Sequence, residues 1–208
     1  MTPRAGTSPL QSVAERIIAR YLNRGLSQDV EIVSGYSVHA NRGIDITYVA
    51  PNGDRRSVKV KPDPYFGTDT DKIGDRSLSY YRADTGSLAF EALADATTKE
   101  PGWMVDSEAD DLYYYYLALA QEEDEVRALL KEPDEVFLDE ILVERDDLIV
   151  MPMAEARRWF ASQAGNYPPR PVFEAGKSAW YRLVPRADVQ RQVNGVRIVG
   201  PVFPGLAL

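Results

Sequence analysis

The chain is predicted to adopt an α/β (α+β) fold in which helices flank a central mixed β-sheet. Three observations lead to that class. A stretch with helical period, 11–23, precedes three β-branched runs. Two of those runs, 44–49 and 56–61, are separated by Pro51-Asn52-Gly53-Asp54, a strong hairpin turn. The strand-then-helix order returns over 148–164.

Each element follows from its own pattern. Val13, Ile17, Ile18, Tyr21 and Leu22 fall at helical spacing, with Ser8 or Ser12 as cap and Gly25 as stop. Residues 29–40 alternate around Val30, Ile32 and Tyr36 and read as a strand. The third strand, 56–61, is expected to close at Pro62 and Pro64. Residues 63–84 are polar and without period, as in a long loop. Residues 87–96 stay open between strand and helix, because Leu88, Phe90, Ala92 and Ala94 alternate while most side chains there are good helix formers. The tyrosine run Tyr113 to Tyr116 marks a strand over 111–120 that packs on both faces rather than a base-stacking platform. A heavily acidic helix, 121–131, and a short apolar segment, 136–142, come next. A strand over 148–153, a helix over 153–164, a Pro-rich loop over 167–171 and a strand over 179–184 complete the core. One domain is expected from 1–120 and 148–190, with 121–147 an acidic helical insertion or arm and 191–208 an extended C-terminal tail.

Composition narrows the chemistry. The 208 residues contain no cysteine and a single histidine, His39, which excludes disulfides, zinc–cysteine sites and thiol nucleophiles. A metal here would be held by oxygen, which favours magnesium, manganese or calcium. Loop aspartates Asp69, Asp71 and Asp75 lack EF-hand spacing and read as solvated. No apolar run approaches the roughly 18–20 residues of a membrane span, and 1–9 lacks the apolar stretch of a signal peptide. No membrane association and a cytoplasmic location are the expectation. Net charge is −8 but uneven: +3 over 1–83, −16 over 84–150 and +5 over 151–208. The basic end, with Arg157, Arg158, Arg170, Lys177, Arg182 and Arg186, is a candidate phosphate-contacting rim, and the acidic arm a candidate protein-binding surface.

The residues that carry chemistry lie on the hairpin. Lys59, Lys61 and Asp63 share one face of the third strand, Val58 and Val60 the other. Asp45, between Ile44 and Ile46, is expected to be buried, and with paired indices summing to about 105 it falls opposite Lys59 to Lys61. The bland alternative is a half-solvated sheet face with cross-strand ion pairs.

These residues resemble the centre of the PD-(D/E)XK nuclease superfamily, in which a strand aspartate is followed, after a hairpin, by an acidic residue, any residue, and lysine. Asp45 matches the aspartate and Lys61 the lysine of Lys59-Val60-Lys61. The strand ending in Glu91, the Pro101-Gly102-Trp103 corner, Ser107-Glu108-Ala109-Asp110 and the closing Trp180 to Pro185 look like the surroundings in phage and bacterial members. The resemblance covers about 10–120 and 150–190. It implies a restriction-endonuclease-like core, DNA as substrate and Mg²⁺ or Mn²⁺ as cofactor, with Asp45, Glu91 and Asp63 as metal ligands and Asp45, Lys59 and Lys61 as the catalytic set. The departure is Lys59, which stands where the family has its second carboxylate. Either Glu91, Asp63 or Glu15 of the first helix supplies the missing acid, or the site is silent and the fold serves protein or nucleic-acid binding.

Overall fold

The computed structural model describes residues 8–66, 86–174 and 177–203. Helix α1, Pro9–Arg24, starts at Ser8, whose hydroxyl accepts the Gln11 N–H at 3.3 Å, with Pro9 in the first turn. It buries Leu10, Val13, Ala14, Ile17, Ile18 and Leu22. Strand β1, Gln28–Ile32, is shorter than expected, because the chain then turns through the short helix α2, Ser37–Ala40, which carries His39. Strands β2, Ile46–Val49, and β3, Arg55–Phe66, form the expected hairpin, with Gly53 at φ 88° in its turn. The register pairs Ile46 with Val58 and Tyr48 with Arg56, so paired indices sum to 104.

After β3 come β4, Ser87–Asp95, β5, Glu100–Pro101, and the one-turn helix α3, Trp103–Asp106. Strand β6, Asp111–Leu119, is buried throughout. Helices α4, Glu123–Leu129, and α5, Asp134–Glu140, lead into β7, Val143–Pro152, and helix α6, Met153–Gln163. Strands β8, Pro169–Glu174, and β9, Lys177–Pro185, helix α7, Arg186–Gln192, and β10, Arg197–Gly200, complete the order.

The main sheet runs β1-β2-β3-β6-β7-β10 and is mixed: β3 and β6 are parallel, the other neighbours antiparallel. The fold is therefore α+β with a central mixed sheet, as expected. A second, antiparallel sheet, β5-β4-β9-β8, lies against one face of the first. Two apolar clusters result. One puts α1, Val126 of α4 and Phe137 of α5 on Val58, Val60, Tyr113 and Tyr115. The other joins Leu88 and Phe90 of β4, Val184 of β9 and Trp159 and Phe160 of α6 to Tyr114, Tyr116 and Ile149. The tyrosine run is thus core on both faces. Its hydroxyls also bind the layers: Tyr114 accepts the Ala89 N–H at 2.8 Å and Tyr116 donates to the Ser87 carbonyl at 2.6 Å. Buried backbone groups need such partners.

Four readings from the sequence change. Residues 87–96, ambiguous by pattern, are strand, since Leu88 and Phe90 both point into the second core. Strand β3 does not stop at the prolines. The Val60 N–H and carbonyl point away from β6, and the alternation of a strand places the nitrogens of Pro62 and Pro64 on that same side, where no ladder bond to β6 is lost. The segment expected as an arm lies against α1: Val126 and Phe137 are fully buried, Arg16 stacks on the Phe137 ring at 4.6 Å, and it pairs with Asp134 at 2.8 Å. The expected tail, 191–208, takes in only the last two residues of α7 and contains the edge strand β10, paired with β7. Most of the 63–84 loop, including Asp69, Asp71 and Asp75, lies outside the described residues.

Candidate functional site

The site forms where β2 ends and β3 continues. Carrying the register one step beyond Ile46–Val58 sets Asp45 opposite Lys59. The Asp45 backbone is fixed on both sides, donating to the Val58 carbonyl at 2.9 Å and accepting the Val33 N–H at 2.8 Å. Beyond that point no strand among the described residues pairs with β3 on its β2 side, and side chains take the strand's place. Asp45 Oδ2 accepts the Val60 N–H at 2.8 Å, and Gln11 Nε2 donates to the Val60 carbonyl at 3.2 Å. The carboxylate therefore lies at the open edge of the sheet, within reach of groups from both faces.

From one face comes Lys59, whose ammonium is 3.1 Å from Asp45 Oδ2 and 3.3 Å from Oδ1. From the α1 side comes Glu15, only 3% exposed, with Oε1 accepting from Gln11 at 2.7 Å and Oε2 from the Ser34 hydroxyl at 2.7 Å. Burial and then the Asp45 charge push the Glu15 carboxyl up to about 7. Burial also raises Asp45, and the Lys59 ammonium opposes that rise. Two buried carboxylates thus face one ammonium.

A second group lies farther along β3. Burial lowers the Lys61 pKa against the opposing charges of Asp63 and Glu91, and its ammonium sits 5.9 Å from the Tyr181 ring centre. Glu91 is held at both oxygens: Oε2 accepts the Trp103 N–H at 3.1 Å and Oε1 the Tyr181 hydroxyl at 2.8 Å. The Pro101-Gly102-Trp103 corner packs directly on it, and a Cβ at Gly102 would lie 2.4 Å from the Glu91 carbonyl oxygen. Asp63 accepts the Tyr114 hydroxyl at 2.5 Å.

The structure therefore brings Asp45 to Lys59 and Glu15, and Lys61 near Asp63 and Glu91. Among the described residues, no three Asp, Glu or His side chains converge as a metal ligand set. The donors fit a divalent ion poorly for a positive reason as well: both Asp45 oxygens already face an ammonium, and Oδ2 also closes a strand edge. Of the acids considered for the missing position, Glu15 is the one whose charge reaches Asp45. Gln11 and Ser34 join the site although they stand outside the motif that carries the resemblance. Gln11 had a signal, its i,i+4 spacing to Glu15 on a helix; Ser34 had none.

Two other sequence features have structural partners. Ser107 bonds the Gly43 carbonyl at 2.8 Å, and Asp110 accepts the Ser57 N–H at 2.7 Å and its hydroxyl at 2.8 Å, which staples the start of β6 to β3 and to the loop after α2. Five cations of the basic rim are occupied within the chain. Arg157 bonds the Ser107 carbonyl, Arg182 the Tyr167 carbonyl, and Arg158, Lys177 and Arg186 pair with Glu155, Glu100 and Asp147.

No protein-family model, curated protein or solved structure matches this chain. No helix among the described residues is long and apolar enough to cross a membrane.

Proposed function

We propose that this chain is a divergent PD-(D/E)XK-like domain that works by binding a protein partner, its centre closed to metal-dependent cleavage. The observation that carries the reading is the Asp45–Lys59 pair, with contacts of 3.1 and 3.3 Å. An ammonium in contact with the acid that would hold a cation repels that cation, and its own position in the motif is the one where a ligand is needed. A protein partner is favoured over a phosphate backbone because residues 84–150 carry −16, and Arg158, Lys177 and Arg186 of the basic rim are already ion-paired within the chain.

One observation favours the competing reading, a Mg²⁺- or Mn²⁺-dependent DNA endonuclease: Glu15 supplies a second buried carboxylate beside Asp45. A plasmid-nicking assay with each metal, run beside Mn²⁺ calorimetry, separates the two. The closed centre predicts no nicking and no heat of Mn²⁺ binding that depends on Asp45. Metal-dependent nicking lost in both Asp45→Ala and Lys61→Ala overturns it.

A further inference from the structure

The two short helices that follow β6 leave a groove. Each is seven residues long and fully buries one apolar side chain, Val126 in α4 and Phe137 in α5. Between them runs an open groove of ≈ 490 Å³, lined by Gln121, Glu125, Ala128, Leu129, Val136 and Glu140 and by Glu132 at the turn. Its floor is apolar, and Val136 is 39% exposed. Its rim is acidic: Glu125, Glu132 and Glu140 make no ion pair among the described residues. Residues 121–142 hold nine carboxylates and two cations. Of those cations, Arg127 is paired with Glu123 and Lys131 does not line the groove.

We infer that this groove docks a Lys/Arg-rich amphipathic helix of a partner protein, its apolar face on Ala128, Leu129 and Val136 and its cations against Glu125, Glu132 and Glu140. Charge complementarity selects that occupant. An acidic or neutral helix would bury apolar surface against uncompensated carboxylates, whereas a basic one meets opposite charge all along the rim and is steered to it. An apolar groove with an acidic edge is also the arrangement that rejects anionic polymers and anionic membrane surfaces. The inference names the partner class for the binding role above and rests on that reading.

The test uses the full chain and a fluorescent 16-residue Leu/Lys peptide with its leucines on one helical face, followed by anisotropy near physiological salt. Val136→Ser, Glu132→Lys and Glu140→Lys should each weaken binding about fivefold, by lost apolar contact or by charge reversal at the rim. Glu144→Lys makes the same charge change at an exposed position outside the groove and should leave affinity within about twofold, the small effect expected of a charge away from the contact. All four positions are partly or fully exposed, so thermal unfolding checks that each variant is folded. Equal weakening by Glu144→Lys, no weakening by the groove variants, or no binding of the peptide by the parent chain overturns the groove assignment. These outcomes leave the closed centre standing, since that is decided separately by the nicking assay.

Discussion

Replacing Glu15 by Gln should stabilise the protein at pH 8 and leave it unchanged at pH 4.5. The folded chain holds the Glu15 proton up to about pH 7, whereas the unfolded chain releases it near 4.5. Between those values the folded state binds more protons than the unfolded state, so raising the pH costs stability. The cost is complete above about pH 7 and absent below 4.5. A rise of that size corresponds to about 3 kcal/mol. Glutamine cannot ionise, and its amide can donate to the Ser34 hydroxyl while its carbonyl still accepts from Gln11, so the local hydrogen bonds survive. Urea unfolding of both proteins at pH 4.5, 6 and 8 measures the effect. The quantity to follow is the difference between them, because ion pairs common to both cancel. That difference should grow from near zero to about 3 kcal/mol, or roughly 6–12 °C in Tm for a chain of this size. A difference that stays constant with pH, or parent protein gaining on the variant as pH rises, would refute a Glu15 held protonated by burial and by Asp45.

Two further substitutions probe the same edge of the sheet. Lys59→Met should cost about 3–5 kcal/mol at pH 8, since it strands a buried Asp45 beside Glu15 without a cation. Adding Asp45→Asn should recover most of that loss in urea unfolding, and no recovery would mean that Lys59 acts through packing. Gly102→Ala should cost about 1–3 kcal/mol, because its methyl group meets the Glu91 carbonyl; an unchanged urea midpoint would show that the corner yields freely.

The parts of the fold that were legible are those governed by local pattern. The Asn52-Gly53 turn set the hairpin register to within one index, and the apolar stripe of α1 gave its extent to within two residues at either end. What escaped the sequence depends on contacts made elsewhere in the chain. Pro62 and Pro64 look like a stop signal until the β2 pairing is seen to stop at Val58 and their nitrogens to face away from β6. The acidic helices look solvated because a single buried side chain in each, Val126 or Phe137, is too sparse to register as an amphipathic stripe among so many carboxylates. Strand β10 is four residues long and gains its place only by pairing with β7.

The site divides along the same line. Apolar neighbours marked Asp45 as buried, and strand arithmetic put Lys59 and Lys61 opposite it; the structure brings Lys59 to Asp45 and sends Lys61 toward Asp63 and Glu91. That Glu15 approaches from the other face could not be read from spacing, because it requires a gap in the sheet. Such a gap exists only because β3 outruns β2, and Asp45 and Gln11 fill it by taking the Val60 N–H and carbonyl. This edge-capping duty constrains the chemistry. A carboxylate that must hold a strand edge and an ammonium together has both oxygens committed, so an incoming cation has to displace Lys59 and weaken the Val60 bond in the same step. The buried, charged and exactingly placed look of Asp45, which suggests catalysis on a sequence, is explained here by the architecture of a strand end.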